Sequence, residues 1–161
     1  MLEHYIQRQL IDTVVLDYPE WRRLVGFIEQ WQNIDITWIN MDLEDAQKYG
    51  IAPWDNIVRE DFHIIVYADR YPCTPGHLLF VPRYDCTPLI NQCLTDAFKA
   101  GQDMVANGEC EGFNIGMNWG EVAGQTVMWP HVHLIPRRAG DVEDPIGGVR
   151  NTIPGKGNYK K

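Results

Sequence analysis

The first third of the chain carries apolar residues at helical spacing. Apolar side chains recur every three or four positions over residues 2–14 and again over residues 21–31, which predicts two amphipathic helices. A third, short helix is predicted over residues 43–49, where a glycine and then a proline follow. We therefore interpret residues 1–55 as a helical N-terminal extension packed on the rest of the chain.

After residue 56 the pattern changes to short runs of β-forming residues separated by turns. Strands are predicted over residues 62–67, 77–81, 112–118 and 126–135. One long amphipathic helix is predicted over residues 89–107, and its inward side chains are expected to be Leu94, Phe98, Met104 and Val105. Residues 56–161 are thus expected to form one α+β domain, an antiparallel sheet with helices packed on one side and a Gly/Pro-rich tail.

Composition narrows the class of protein. The chain has 161 residues, of which 45% are hydrophobic and 22% charged, as in an ordinary globular domain. No apolar run approaches the roughly 18 residues that cross a bilayer, and the N-terminus has no secretory signal, so we expect a cytoplasmic protein without a membrane partner. The cysteines have no metal-site or disulfide spacing and are expected to be reduced: Cys73, Cys86, Cys93 and Cys110.

The distribution of charge argues against nucleic acid as a partner and leaves a polyphosphate ligand open. The formal net charge of −8 is unsuited to nucleic acid, which selects a basic surface. The tail is nevertheless basic, with six Lys or Arg against three Asp or Glu from residue 137 onward. Two interpretations of its cations stay open: either they clamp a polyphosphate chain or they belong to a solvated tail. The cations concerned are Arg137, Arg138, Arg150 and Lys156.

The candidate chemistry centres on two histidines. His131 and His133 are separated by one residue in a run predicted to be extended, so both imidazoles point to the same face. A neutral imidazole is a competent nucleophile near neutral pH. Attack on phosphorus would give a phosphohistidine that water then cleaves. Gly124, Gln125 and Thr126 stand just upstream, where their polar groups could contact phosphate oxygens.

A metal site is the main alternative for this pair of histidines, since imidazole is the commonest metal ligand. A His-x-His strand that binds metal would be expected to have a carboxylate a few residues later. Pro136, Arg137 and Arg138 occupy those positions, and their two cations attract an anion instead. We therefore expect no metal at this site and place Arg137 among the substrate contacts.

Several motifs, in the same order, carry a resemblance to a known family. The run from Gly124 to Val127, followed by His-x-His and Pro-Arg, resembles the signature of the histidine-triad (HIT) nucleotide hydrolases and transferases. Residues 66–83, 112–120 and 140–150 are also similar to segments of that family, so the resemblance covers roughly residues 56–155. It implies an α+β fold that pairs into a homodimer and takes a nucleotide as its substrate.

The resemblance also implies roles for individual residues. His131 matches the nucleophile that becomes transiently nucleotidylated, His133 the last histidine of the triad, and His77 an additional histidine packed behind it. Asp69 falls where the family contacts the ribose hydroxyls. Contacts to phosphate oxygens are expected from Asn118, Gln125 and Thr126.

One position departs from the family pattern. The family has His-x-His-x-His, and both flanking spacings place Trp129 where the first histidine is expected. That residue supports the nucleophile from behind, partly through its backbone carbonyl, which Trp129 retains. The last position is His133, whereas phosphorylase and uridylyltransferase branches typically have glutamine, which favours water as the final acceptor.

The sequence thus predicts a nucleotide hydrolase. It would cleave a phosphoanhydride or phosphoramidate bond at the α-phosphate of a nucleotide conjugate, such as a dinucleoside polyphosphate, through a covalent nucleotidyl-histidine. The covalent step requires no cofactor, although a divalent cation can accompany a polyphosphate substrate. Two alternatives stay open: a nucleotide-binding module that lost turnover with the first histidine, and a His-x-His metal enzyme.

Overall fold

A computed structural model describes residues 41–160 of the chain. The two helices predicted over residues 2–14 and 21–31 lie outside the described residues. The elements in chain order are α1 (Leu43–Lys48), β1 (Ile57–Glu60), β2 (Ile64–Ala68), β3 (Leu78–Pro82), α2 (Thr87–Ala106), β4 (Gly112–Gly116) and β5 (Val132–Arg137). Two short 3₁₀ helices, Glu121–Ala123 and Gly148–Thr152, lie on either side of β5 in the sequence.

The five strands form one antiparallel sheet in the order β1-β2-β3-β5-β4, which confirms the predicted α+β class. The last strand in sequence lies between β3 and β4. In this register His133 stands opposite Leu79 of β3 on one side and Gly116 of β4 on the other. The His-x-His pair is therefore brought to an interior strand of the sheet.

The two faces of the sheet are covered by different elements. Alternate side chains such as Val66, Phe80 and Leu134 pack against α2 on one face. On the opposite face, Tyr67 and Leu79 pack in a second cluster, whose other fully or nearly buried members include Leu43 and Ala46 of α1, Val81 and Trp129. Because His133 pairs directly with Leu79, its imidazole belongs to the face opposite α2.

The buried side of α2 differs from the prediction. Leu94, Phe98 and Val105 are 39%, 51% and 38% exposed, so the expectation that they face inward is wrong, whereas Met104 packs against the core. The residues buried beneath the helix are small: Cys93, Ala97 and Gly101. A Cβ added at position 101 would lie 2.7 Å from the Phe113 ring of β4, so small side chains let the helix approach the sheet closely.

Two strand assignments also differ. The last strand begins at Val132 rather than at residue 126, and residues 126–131 form a loop that leads into it. The edge strand β1 was not predicted, and all four of its residues are exposed. Without a buried face, β1 has no alternation of apolar and polar residues from which to recognise it.

In the described part of the chain, none of the four cysteines forms a disulfide. Within residues 41–160, no helix has both the length and the apolar character required to span a membrane.

Candidate active site

Three imidazoles gather on the sheet face opposite α2. The ring centroids of His131 and His133 are 5.0 Å apart, and those of His77 and His133 are 5.2 Å apart. His77 and His131 are only 6% and 8% exposed. The fold thus brings together, from β3 and β5, the three histidines that the sequence singled out.

Asp69, His77 and His133 form a line of polar contacts. Asp69 directly follows β2 and His77 directly precedes β3, and the hairpin joins them through a bond from the Asp69 backbone N–H to the His77 carbonyl at 3.0 Å. Asp69 Oδ2 lies 3.4 Å from His77 Nδ1, and His77 Nε2 lies 3.0 Å from His133 Nδ1. The line therefore uses Nδ1 of His133 and leaves its Nε2 on the other side of the ring.

His131 is held by the backbone of Trp129, two residues earlier in the chain. Its Nδ1 lies 2.8 Å from the carbonyl oxygen of Trp129. A carbonyl only accepts hydrogen bonds, so Nδ1 must carry the proton and donate it. In the neutral ring, Nε2 then holds the lone pair.

Burial keeps these imidazoles neutral. Desolvation lowers the pKa of His131 below its ordinary value, against smaller opposing effects of the Trp129 carbonyl and Asp69. Burial, together with repulsion from the two neighbouring imidazoles, lowers the pKa of His133 to about 4. Burial also lowers the pKa of His77, partly opposed by Asp69. All three rings are therefore uncharged at neutral pH.

Three side chains of the described range also lie close enough to hold a metal ion. Ligand atoms of Asp69, His77 and His133 all fall within 4.8 Å of one another. The two nitrogens of His77, however, face different partners, Asp69 and His133. A metal bound by all three side chains would have to replace the hydrogen bond between the two imidazoles.

The side chain of Gln125 is used by its own loop. Its Oε1 accepts the Gly120 N–H at 2.7 Å, and its Nε2 donates to the carbonyls of Val127 and Met128 at 3.1 and 3.0 Å. Both N–H groups of the amide are thus occupied, so the expected role as a phosphate donor does not fit this conformation. Gln125 instead fixes the loop that leads to His131.

The other predicted phosphate contacts lie on the segments that flank this loop. Gly124 has φ of 85°, a left-handed conformation that favours glycine, and Thr126 is exposed beside it. Asn118 is half-buried two residues beyond Gly116, the partner of His133. Asn118 and His131 both lie just beyond the paired ends of β4 and β5.

Arg137 is not brought to the imidazoles. It lies four residues beyond His133, which is roughly 13 Å along an extended strand. Its Nε and Nη2 donate to both carboxylate oxygens of Asp141 at 2.7 and 2.8 Å, and its Nη1 donates to Asn114 Oδ1 at 2.7 Å. In this conformation Arg137 is held by protein groups, and its contact with substrate stays a prediction.

Two further cations proposed for a polyphosphate clamp also have partners within the protein. Arg138 donates to Thr74 Oγ1 and to the carbonyls of Pro75 and Glu109. Arg150 donates to the Lys156 carbonyl, and its guanidinium lies 5.6 Å from the centre of the Tyr159 ring. These contacts bind the basic tail to the domain and to itself.

Two residues near the imidazoles were missed by the sequence analysis. The Trp54 ring lies 4.9 Å from that of His131, and Cys73 Sγ lies 3.6 Å from His77 Nδ1. From the sequence, Trp54 belongs to the N-terminal extension over residues 1–55, and Cys73 is expected only to be reduced. The one available signal was the position of Cys73 four residues before His77 in a turn.

Comparison with known proteins yields a consistent family. The model of the HIT domain matches residues 54–140, more than half of the chain. An uncharacterised HIT-like protein of Methanocaldococcus jannaschii is 37% identical over 102 residues, which are 59% of this chain and 79% of that protein. The crystal structure of a zinc-bound histidine triad family protein from Mycobacterium smegmatis superposes with a TM-score of 0.51 and 26% identity, covering 58% of this chain and 74% of that one.

The similar proteins with a named activity include a phosphoramidase and a tetraphosphatase. The adenosine 5'-monophosphoramidase of Saccharomyces cerevisiae is 32% identical over 75 residues, 45% of this chain and 48% of that protein. The asymmetrical bis(5'-nucleosyl)-tetraphosphatase of Schizosaccharomyces pombe is 35% identical over 85 residues, 48% of this chain and 47% of that protein. The matched segments span about half the length of each of these two relatives.

Proposed function

The chain belongs to the HIT family, and from this premise we propose that it hydrolyses nucleotide conjugates at the α-phosphate through a covalent nucleotidyl-His131. One observation carries the proposal. The hydrogen bond from His131 Nδ1 to the Trp129 carbonyl, at 2.8 Å, commits the proton to Nδ1 and leaves the Nε2 lone pair for attack.

In the first step, the Nε2 lone pair of His131 forms a bond to the α-phosphorus. The bond from phosphorus to the leaving group breaks, and its electron pair departs with that group. The imidazole becomes positively charged, and its Nδ1–H stays bonded to the Trp129 carbonyl, which stabilises the new charge. A buried ring with a lowered pKa enters this step unprotonated at neutral pH.

In the second step, water attacks the nucleotidyl-histidine. The N–P bond breaks, its electrons return to Nε2, and the attacking water loses one proton. His133 is suited to accept that proton, because its ring centroid lies 5.0 Å from that of His131 and its Nδ1 contacts His77. Burial lowers the pKa of His133, and Asp69 at the far end of the line partly offsets that effect, which favours a proton on His133.

For the substrate class we propose nucleoside phosphoramidates and dinucleoside polyphosphates. The names of the phosphoramidase and the tetraphosphatase correspond to these two kinds of bond, P–N and P–O–P. A polyphosphate leaving group is stable as an anion, whereas a leaving amine also requires a proton. Parallel assays of adenosine 5'-monophosphoramidate and diadenosine tetraphosphate would determine the preferred bond.

The decisive experiment is to trap the intermediate. Rapid acid-free quenching and mass spectrometry should detect a nucleotidyl adduct on a peptide that contains His131, and His131→Ala should lack it. If His131→Ala hydrolyses every such substrate at the full rate, the covalent mechanism is wrong.

A second candidate, a nucleotide-binding module, is favoured by Trp129, because the first triad histidine is absent. This candidate predicts tight nucleotide binding in calorimetry and no product or adduct after prolonged incubation. A metal enzyme is the third candidate and rests on the grouping of Asp69, His77 and His133. It requires stoichiometric metal in elemental analysis of the purified protein, and Asp69→Asn should reduce that metal content.

We also propose that two copies pair through α2 and β4. Leu94, Phe98 and Val105 form one exposed apolar stripe along α2, and Phe98 packs against Phe113 of the edge strand β4 at 5.8 Å between ring centroids. Analytical ultracentrifugation should show a dimer that Phe98→Asp converts to a monomer. The matched control is Phe62→Asp, since Phe62 is 70% exposed and lies away from the stripe. A monomeric wild-type protein would rule out this pairing.

A further inference from the structure

Trp129 makes two hydrogen bonds that connect different parts of the site. Its indole Nε1 donates to the carbonyl oxygen of Pro82, the last residue of β3, at 2.9 Å. Its own carbonyl accepts the proton of His131 Nδ1 at 2.8 Å. The residue thus links the interior of the sheet to the nucleophile that we propose.

The indole is firmly embedded. Trp129 is 5% exposed and belongs to the cluster that includes Leu43 of α1 and Val81 of β3. Pro82 is fully buried, so its carbonyl would lose a partner without the indole N–H. Packing and the hydrogen bond together fix the position of the Trp129 side chain relative to β3.

The backbone of Trp129 is restricted from its other side as well. Pro130 follows it and is fully buried, and a residue before proline is confined to extended conformations. The direction of the Trp129 carbonyl is therefore set by the anchored indole on one side and by Pro130 on the other. This carbonyl in turn determines which nitrogen of His131 carries the proton.

We propose that Trp129 is a positioning residue for His131: the indole, anchored to Pro82, holds the 129 carbonyl so that it keeps the His131 proton on Nδ1. The proposal rests on the proposed covalent function. A neutral imidazole released from this carbonyl exchanges freely between its two tautomers, and in one of them the proton occupies the attacking Nε2. In this chain a tryptophan does by anchoring what the family's histidine does at the same position.

The test separates the indole N–H from the volume of the ring. Trp129→Phe keeps most of the packing and removes the donor to Pro82. The ¹⁵N chemical shifts of the His131 ring should show one Nδ1–H tautomer in the wild type and a mixture in the variant. Single-turnover nucleotidylation should slow by at least about tenfold, because a displaced nucleophile loses alignment, while nucleotide affinity should stay the same.

Leu43→Ala is the matched control, because Leu43 lies in the same cluster as Trp129 but is on α1. It should lower thermal stability without changing the tautomer of His131. If Trp129→Phe does not fold, 3-benzothienylalanine at position 129 replaces the N–H with sulfur at nearly the same volume and should give the same tautomer mixture. An unchanged Nδ1–H tautomer in the variant with the donor removed would overturn the proposal.

Two further outcomes separate this inference from the proposed function. The tautomer measurement needs no substrate, so it decides the role of Trp129 even if the wild-type protein has no turnover. If His131→Ala abolishes hydrolysis but Trp129→Phe reacts at the wild-type rate, the covalent function stands and the positioning role is wrong.

Discussion

His131 and Arg137 lie near the two ends of β5. Both side chains are suited to interact with a phosphate, but their contacts in the structure differ. At the N-terminal end, His131 Nδ1 is hydrogen-bonded to the Trp129 carbonyl, and the ring is buried and neutral. At the C-terminal end, Arg137 directs its guanidinium to Asp141 and Asn114. This ion pair raises the pKa of Arg137 and lowers that of Asp141, so each stabilises the other's charge.

The difference shows what leaves a suitable side chain available to a ligand, namely a polar atom that no protein group occupies. His131 is fixed through one ring nitrogen, which leaves the other nitrogen in a defined direction. Arg137 is fixed through all three nitrogens of its guanidinium, so binding a phosphate would first require breaking an internal ion pair. In the sequence, His131 and Arg137 look equally suited to phosphate, because both have a suitable side chain and they lie close together. Only their contacts in the structure distinguish them.

The largest expected effect comes from removing the nucleophile. His131→Ala should reduce kcat/KM by a factor on the order of 10⁴ or more, because the covalent route is lost. Steady-state assays and intact-mass detection of the adduct measure the two consequences. The control is His63→Ala, since His63 is exposed and lies outside the imidazole cluster. A loss of activity in the His63 variant equal to that in the His131 variant would contradict the assignment.

His133→Ala should have the next largest effect, a loss of about 10²- to 10⁴-fold, which is typical of general acid–base catalysis. The variant should still form the nucleotidyl adduct and should accumulate it, because the proton acceptor for the attacking water is missing. Quenched-flow measurement of the burst and of its decay distinguishes the two steps. A variant with fast decay and slow adduct formation would place His133 in the first step instead.

The pH dependence of kcat/KM tests the burial of the His131 ring. Protonation of His131 removes the lone pair, so kcat/KM should be constant at neutral pH and fall about tenfold per pH unit below the pKa of the free enzyme. Since burial lowers that pKa, the fall should begin below the ordinary value of about 6.5. Trp54→Ala uncovers the ring and should move the acid limb to higher pH. If the acid limb of the wild-type protein gives a pKa at or above the ordinary histidine value, burial is not the dominant influence on the pKa of His131.

Arg137→Met should have the smallest effect, a change in kcat/KM of less than about threefold, because a partly exposed ion pair contributes little free energy. Thermal denaturation should register the lost contacts with Asp141 and Asn114 more clearly than the assay does. A large increase in KM that grows with the length of the polyphosphate chain would instead show that Arg137 contacts the substrate. The contrast between Arg137 and His131 would then not hold.

Much of the site followed from local pattern. The spacing of Gln125, His131 and Pro136 singled out His131 and Trp129, which the structure joins by a hydrogen bond, and α2 runs from Thr87 to Ala106 where a helix over residues 89–107 was predicted. These features depend on residues close together in the chain. The exposed strand β1 and the small buried residues of α2 were not recognised, because exposure and close approach depend on neighbours that are distant in sequence.

The sequence by itself determined the family and the α+β fold, and it singled out the three histidines that the structure brings together. Only the tertiary structure decided how each polar atom is used: Gln125 in its own loop, Arg137 in an ion pair, Asp69 and His77 behind His133, and the Trp129 carbonyl on His131. The physical reason is that a donor or acceptor removed from water must find a partner nearby. Which partner is near depends on strand register and packing, and these follow from the whole chain.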